Sequence, residues 1–196
     1  MDLGKNYSKI NDQFDKRLKY MMEKHNKVTF GRFDPRFPED YIHDGTNSEL
    51  SDLLKSLKEK LTRNGVEMRY VWCREKNTSE NPHYHVAFLV NGSHIQNVGG
   101  ILQDASDIWG RITESKKEGL IDYCSTFDGK KVPRQIRIDR PSSVKEGEEL
   151  KSQQRKLEEN TKKVLQRAHY LGKNTQKGNV PKRVREFGAS ELPEQP

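Results

Sequence analysis

The stretch Asn81-Pro82-His83-Tyr84-His85-Val86-Ala87-Phe88-Leu89-Val90 decides how this chain folds and what chemistry it can carry. From Val86 to Val90 it is β-branched and aromatic, and Asn91-Gly92 closes it, which reads as a buried strand. Side chains alternate along a strand, so His83 and His85 project from one face and Tyr84 from the other. Two neutral imidazoles on one face can grip a single metal ion. The competing reading is a pair of hydrogen-bonded histidines at a strand mouth. Their neighbours separate the two.

Upstream, Val66 to Glu75 reads as another strand, and the turn-rich Lys76-Asn77-Thr78-Ser79-Glu80-Asn81-Pro82 joins it to the first as a hairpin. Pairing symmetrical about that loop sets Glu75 opposite His83, and directly opposed residues of an antiparallel pair share a face. Glu75, His83 and His85 then make three ligands on rigid strands, with positions left for water or substrate, as in a catalytic metal site. A slip of one residue would turn Glu75 away and leave an exposed carboxylate at a strand end.

Further out, Ser8 to Lys27 carries Ile10, Phe14, Leu18, Met21 and Met22 at helical spacing. Lys27 to Phe33 reads as a strand halted at Pro35 and Pro38. A helix from Asn47 or Ser48 to Arg63 buries Leu50, Leu53, Leu54, Leu57 and Leu61, and Asn64-Gly65 ends it. Another runs from Ile95 or Val98 to Ile112, with Ile101, Ile108, Trp109 and Ile112 inward. Leu120 to Cys124 is short and of no definite type. Val132 to Arg140 alternates arginine with isoleucine, a strand with one basic face on which Arg134, Arg137 and Arg140 can track a phosphate backbone. Solvated arginines on an edge strand are the bland alternative. From Val144 to Lys173 a long helix carries Leu150, Leu157, Val164 and Leu171 in one seam, suited to docking on the sheet.

The chain of 196 residues is long enough for one domain with a core and a tail. Hydrophobic residues make up only 31% against 33% charged, so that core is small and the surface wet. A net charge of +7 favours a polyanionic partner, most often nucleic acid. No apolar run spans a membrane, no apolar leader opens the chain, and Cys73 and Cys124 are too few for a disulfide framework. The expectation is a cytoplasmic protein without a membrane partner. Residues 1–180 are expected as the domain proper, and residues 181–196 as a basic, largely disordered tail beyond the cluster of Lys177, Lys182, Arg183 and Arg185.

Near the end of the long helix stands Arg167-Ala168-His169-Tyr170-Leu171-Gly172-Lys173. Tyr170 and Lys173 are three apart and so share a helix face. A phenol is a poor nucleophile at neutral pH, since its unperturbed pKa lies near ~10. A neighbouring ammonium or metal ion favours the phenolate and neutralises phosphate oxygens.

His83-Tyr84-His85 followed by Tyr170-Leu171-Gly172-Lys173 resembles the HUH endonucleases, the superfamily of rolling-circle replication initiators and relaxases. Arg69-Tyr70-Val71-Trp72-Cys73-Arg74-Glu75 running into Pro82-His83-Tyr84-His85 is similar to the replication proteins of filamentous phages, the inovirus gene-2 type. Phe30-Gly31-Arg32-Phe33-Asp34-Pro35 and Arg185-Glu186-Phe187-Gly188 extend the likeness, which covers roughly residues 25 to 188. The resemblance implies an α+β fold with a central antiparallel sheet and packed helices, on a ferredoxin-like or RRM-like plan. It implies a divalent ion, Mg²⁺ with Mn²⁺ as a good substitute, held by Glu75, His83 and His85. Tyr170 would attack single-stranded origin DNA, leaving a 5′-phosphotyrosine and a free 3′-hydroxyl, with Lys173 positioning or charge-balancing the tyrosine. Lys177 and the three arginines would contact the DNA. A phosphate-binding Gly-x-x-x-x-Gly-Lys-[Ser/Thr] loop is absent, so helicase and polymerase would be the host's. A histidine-triad hydrolase is set aside because position 87 is alanine. Two rivals remain: a non-catalytic nucleic-acid-binding regulator on the same fold, and an interaction scaffold built on the long helix.

Overall fold

Strand β1 (Lys27–Pro35) lies inside the sheet, and all its strand partners come much later in the chain. The computed structural model describes residues 3–75, 81–172 and 181–194, with the side chains of 3–7 outside the description. Helix α1 (Leu3–Lys24) precedes β1, and α2 (Ser48–Arg63) follows it. The hairpin of β2 (Met68–Glu75) and β3 (His83–Asn91) comes next, then α3 (Gly99–Ile112) and β4 (Ile121–Asp122). A small separate hairpin, β5 (Thr126–Phe127) with β6 (Lys130–Lys131), leads into β7 (Gln135–Asp139). Helix α4 (Gly147–His169) runs into a 3₁₀ turn at Tyr170–Gly172, and β8 (Phe187–Ala189) closes the fold.

The six-stranded antiparallel sheet has the order β4-β1-β3-β2-β8, and β7 shares with β4 the outer side of β1. Taken as β1-α2-β2-β3-α3-β7, the strand order β7-β1-β3-β2 is that of the split β-α-β, or ferredoxin-like, plan. The fold is α+β, as the sequence suggests.

Alternation along the strands divides the core in two. Tyr84, Val86, Phe88 and Val90 of β3 pack with α2 and α3 on one face. There the leucines Leu50, Leu53, Leu54, Leu57 and Leu61 of α2 are buried, each worth roughly 2 kcal/mol. On the other face Ala87 and Leu89 meet Ile10, Phe14, Leu18 and Met21 of α1 and Val164, Ala168 and Leu171 around α4. The seam of α4 therefore docks on the sheet through its C-terminal half. His83 and His85 fall on this second face, toward Tyr170.

Two expectations change. Residues 181–196 do not trail away throughout: Phe187–Ala189 pairs with β2, and Ser190 is buried. The Ser190 amide donates to the Tyr70 carbonyl, and its Oγ accepts from the Tyr70 amide at 3.0 Å. Buried Arg17 of α1 donates through Nε and Nη2 to the Ser190 carbonyl. Glycine at 188 is needed because a Cβ there would stand 2.7 Å from the Trp72 indole. The second change is at α4, which ends at His169, so Tyr170 sits on the following 3₁₀ turn rather than within the helix. Lys173 and Lys177 lie outside the described residues, as does the turn 76–80.

Candidate active site

Register builds the site. Glu75 pairs with His83 and Cys73 with His85, as hairpin symmetry predicts. On the other side β1 pairs Arg32 with Ala87 and Phe33 with Val86, so the next residue, Asp34, arrives beside His85. Arg32 and Asp34 of β1, Glu75 of β2 and both histidines thereby share the face covered by α1 and α4.

His85 is the hub. Its Nδ1 donates to Asp34 Oδ2 at 2.6 Å and its Nε2 to Glu75 Oε2 at 3.1 Å. Burial disfavours the imidazolium, but the bonds and charges of the two carboxylates outweigh it and push the pKa up to about 9. Burial likewise opposes ionisation of Asp34, yet His85 and Arg32 hold its carboxyl below the usual range. His83 moves the opposite way: desolvation first, then the charges of His85 and Arg36, keep its ring neutral. The His83 ring is thus held neutral, whereas His85 must give up its Nε2 proton before that nitrogen can ligate a metal ion.

Asp34 also receives Arg32 Nη2, at 3.4 Å from Oδ1. The Arg32 guanidinium, buried at 4% exposure, lies 5.4 Å from the centroid of the Tyr170 ring. Its Nη1 donates at 3.3 Å to the carbonyl of Arg167, on the last turn of α4. Tyr170, at 38% exposure, also meets the ring of Phe127 edge to face, with centroids 5.6 Å apart. A continuous path of contacts runs from Tyr170 through Arg32 and Asp34 to His85 and Glu75.

Glu75, His83 and His85 carry donor types that a divalent ion accepts, and Glu75 Oε2 lies 3.1 Å from His85 Nε2. The Asp34–Nδ1 bond fixes the orientation of the His85 ring, as carboxylates do for imidazoles in metal sites. A tighter trio among the described residues is His43, Asp44 and Glu49, with ligand atoms within 4.8 Å of one another. Here His43 Nδ1 accepts the Gly45 amide at 2.8 Å, which places the ring proton on Nε2, the nitrogen facing Glu49. Asp44 accepts the amide and hydroxyl of Thr46, and Glu49 accepts Tyr41 and Ser48. That trio shapes the approach to α2.

The three arginines expected to line a DNA track each meet a different neighbour. Arg134 lies 5.1 Å from the Tyr123 ring centroid, and Arg137 Nε donates to Asp139 at 2.8 Å. Arg140 caps the end of α1 by donating to the carbonyls of Met22 and Glu23. Sequence reading missed Arg32 and Asp34 as site residues. Their signal was the alternation Phe30-Gly31-Arg32-Phe33-Asp34, with charges on the face opposite Phe33. Arg167, which is buried, was missed too: Nη1 donates to the Pro133 carbonyl at 2.6 Å and Nη2 to the Cys124 carbonyl at 3.0 Å.

Fold and site together define a ferredoxin-like α+β domain with a His-Asp-Glu-Arg-Tyr cluster on one sheet face. The chain belongs to the YagK/YfjJ C-terminal domain family, whose model matches residues 3–190. No curated protein and no solved structure matches it. Among the described residues no helix is long and apolar enough to cross a membrane.

Proposed function

We propose that this domain is a metal-assisted nickase and strand transferase of single-stranded DNA, using Tyr170 as nucleophile in the manner of rolling-circle replication initiators. The observation that carries the reading is Arg32, one buried guanidinium touching both the Tyr170 ring and the carboxylate that holds His85. A tyrosine kept only for packing needs no such tie to a histidine–carboxylate cluster.

Glu75, His83 and His85 would hold Mg²⁺ or Mn²⁺, whose contribution is to draw charge from the scissile phosphate. Asp34 fixes the orientation of His85, and Arg32 fixes the Tyr170 ring. The phenol yields its proton to solvent as Oη bonds to phosphorus. The P–O3′ bond breaks, and the departing oxygen takes up a proton as a free 3′-hydroxyl. The products are a 5′-phosphotyrosine on Tyr170 and a primer end for a polymerase supplied, with a helicase, by the host.

The test is incubation of the full chain with labelled single-stranded DNA pools, with Mn²⁺ or with EDTA, followed by a denaturing gel. A covalent protein–DNA adduct that requires metal and is lost in Tyr170→Phe supports the reading. Cutting that survives Tyr170→Phe moves the nucleophile elsewhere, and binding without cutting on every pool favours the non-catalytic regulator.

A further inference from the structure

The hairpin β5–β6 plays no part in the chemistry above, yet it stands against the nucleophile. Its turn is Asp128-Gly129, with φ of 51° and 72°, the left-handed pair of a tight two-residue connection whose twist matches the strands. Phe127 pairs with Lys130 and Thr126 with Lys131. Directly paired residues share a face, so Lys130 stands on the Phe127 face and Lys131 on the opposite one. The Phe127 face is the one that meets Tyr170.

The hairpin is also anchored to the helix that delivers Tyr170. Arg167 holds the carbonyls of Cys124 and Pro133, the two feet of the hairpin, from the last turn of α4. The Val132 amide closes the base on the Ser125 carbonyl at 2.9 Å. A buried arginine tying both feet sets the position of Phe127 and Lys130 relative to Tyr170. Meanwhile Thr126, Asp128, Lys130 and Lys131 are exposed, so this anchored projection leaves its charges open to solvent.

We infer that the Phe127–Lys130 face of this hairpin seats single-stranded nucleic acid beside Tyr170, Lys130 taking a backbone phosphate and Phe127 presenting an aromatic edge to the adjoining base. The inference rests on the nickase reading for its choice of strand but not for its test. A flexible, unpaired backbone fits such a site, because a lysine and one aromatic ring recognise phosphate and base without reading sequence.

The test is fluorescence anisotropy of a labelled mixed-sequence single-stranded oligonucleotide with the full chain, in EDTA and over a salt series, for wild type, Lys130→Ala and Lys131→Ala. Loss of one phosphate contact lowers the salt slope by about 0.7 and weakens binding roughly threefold to tenfold at moderate salt for Lys130→Ala. Lys131→Ala, of equal charge but on the far face, changes affinity less than about twofold, as a non-contacting surface charge does. Equal effects of the two substitutions, no effect of Lys130→Ala, or no measurable binding by wild type at low salt would each overturn the inference. EDTA separates this from the nickase reading. A wild type that forms no adduct with Mn²⁺ sinks that reading while leaving the lysine comparison intact. An adduct-forming wild type whose Lys130→Ala binds normally sinks only the hairpin.

Discussion

Arg32 joins the two halves of the site: its guanidinium lies 5.4 Å from the Tyr170 ring centroid and donates to Asp34 at 3.4 Å. Chain segments more than a hundred residues apart meet at that side chain, which is buried and hydrogen-bonded to the last turn of α4. A planar fork can stack on a ring and pair with a carboxylate at once, whereas a lysine ammonium offers a point charge on a flexible stem. Arg32→Lys should therefore keep the fold and the charge while losing the alignment of Tyr170. We expect adduct formation to fall by about 10²-fold, the scale of removing one preorganised polar contact, with single-stranded DNA affinity within about threefold of wild type. Single-turnover rates beside anisotropy measure the split, and an unchanged rate would remove Arg32 from the site.

Asp34 gives a second test, read on metal rather than on DNA. Its carboxylate accepts the Nδ1–H hydrogen bond of His85 and so aims Nε2 toward Glu75. Asp34→Asn preserves shape but removes the charge that orients and enriches the imidazole. Outer contacts of this kind are worth about 10- to 100-fold in metal affinity. Titration calorimetry with Mn²⁺ should show that loss in Asp34→Asn and near-complete loss in His83→Ala. Wild-type affinity in both would show that the ion, if bound, sits elsewhere, and the same titration on His43→Ala tests the trio near α2 directly.

How much of this could be read from the chain depends on the range of the contact. The Glu75–His83 register was legible because a hairpin is local and its turn residues are explicit. The leucine stripe of α2 was legible because helical period and burial agree. Asp34 was not, since its place beside His85 follows from β1 pairing with β3, a contact across fifty-one residues that no local signal announces. Strand β8 was hidden for the opposite reason. Phe187-Gly188-Ala189 has little strand propensity of its own and is held by Trp72, Tyr70 and Arg17. Tyr170 was singled out by its spacing to Lys173 together with the family resemblance, whereas its contacts with Arg32 and Phe127 are tertiary and carry no sequence period.

Acid should loosen the fold through Glu67, far from the site. Burial opposes ionisation of this carboxyl, but hydrogen bonds from His25 at 2.8 Å, Lys24 at 3.0 Å and Tyr20 at 2.9 Å, with the charge of Arg69, outweigh it and lower its pKa. A carboxyl with a folded pKa below its unfolded value, near ~4.3, stabilises the protein fully above that value. The gain is lost as pH falls through the folded pKa. Glu67→Gln should cost about 2 kcal/mol at neutral pH, in the range for hydrogen bonds to a charged group. The gap between wild type and variant should close as pH drops below about 4, measured by urea unfolding across a pH series. A gap that stays constant with pH would assign the cost to shape rather than charge.

Gly188 tests whether the last strand belongs to the fold. A Cβ at this position would stand 2.7 Å from the Cε2 and Nε1 atoms of Trp72, closer than real contacts allow. The indole cannot retreat easily, because it is 8% exposed and stacks edge to face against the ring of Tyr84, whose centroid is 6.1 Å away. Gly188→Val must therefore push β8 off β2 or distort the core beneath it. Detachment also breaks the bonds of Ser190 to Tyr70 and strips Arg17 of the carbonyl that both Nε and Nη2 use. Overpacking of this kind costs about 1–3 kcal/mol, and a buried guanidinium left without its acceptor adds to it. Gly188→Val should lower the urea midpoint accordingly, and Arg17→Met should do so independently through the same strand. Because both remove one attachment, the double variant should lose less than the sum of the two. Full additivity would show that Arg17 and Gly188 act on separate parts of the fold, and a neutral Gly188→Val would show that Trp72 carries no part of β8.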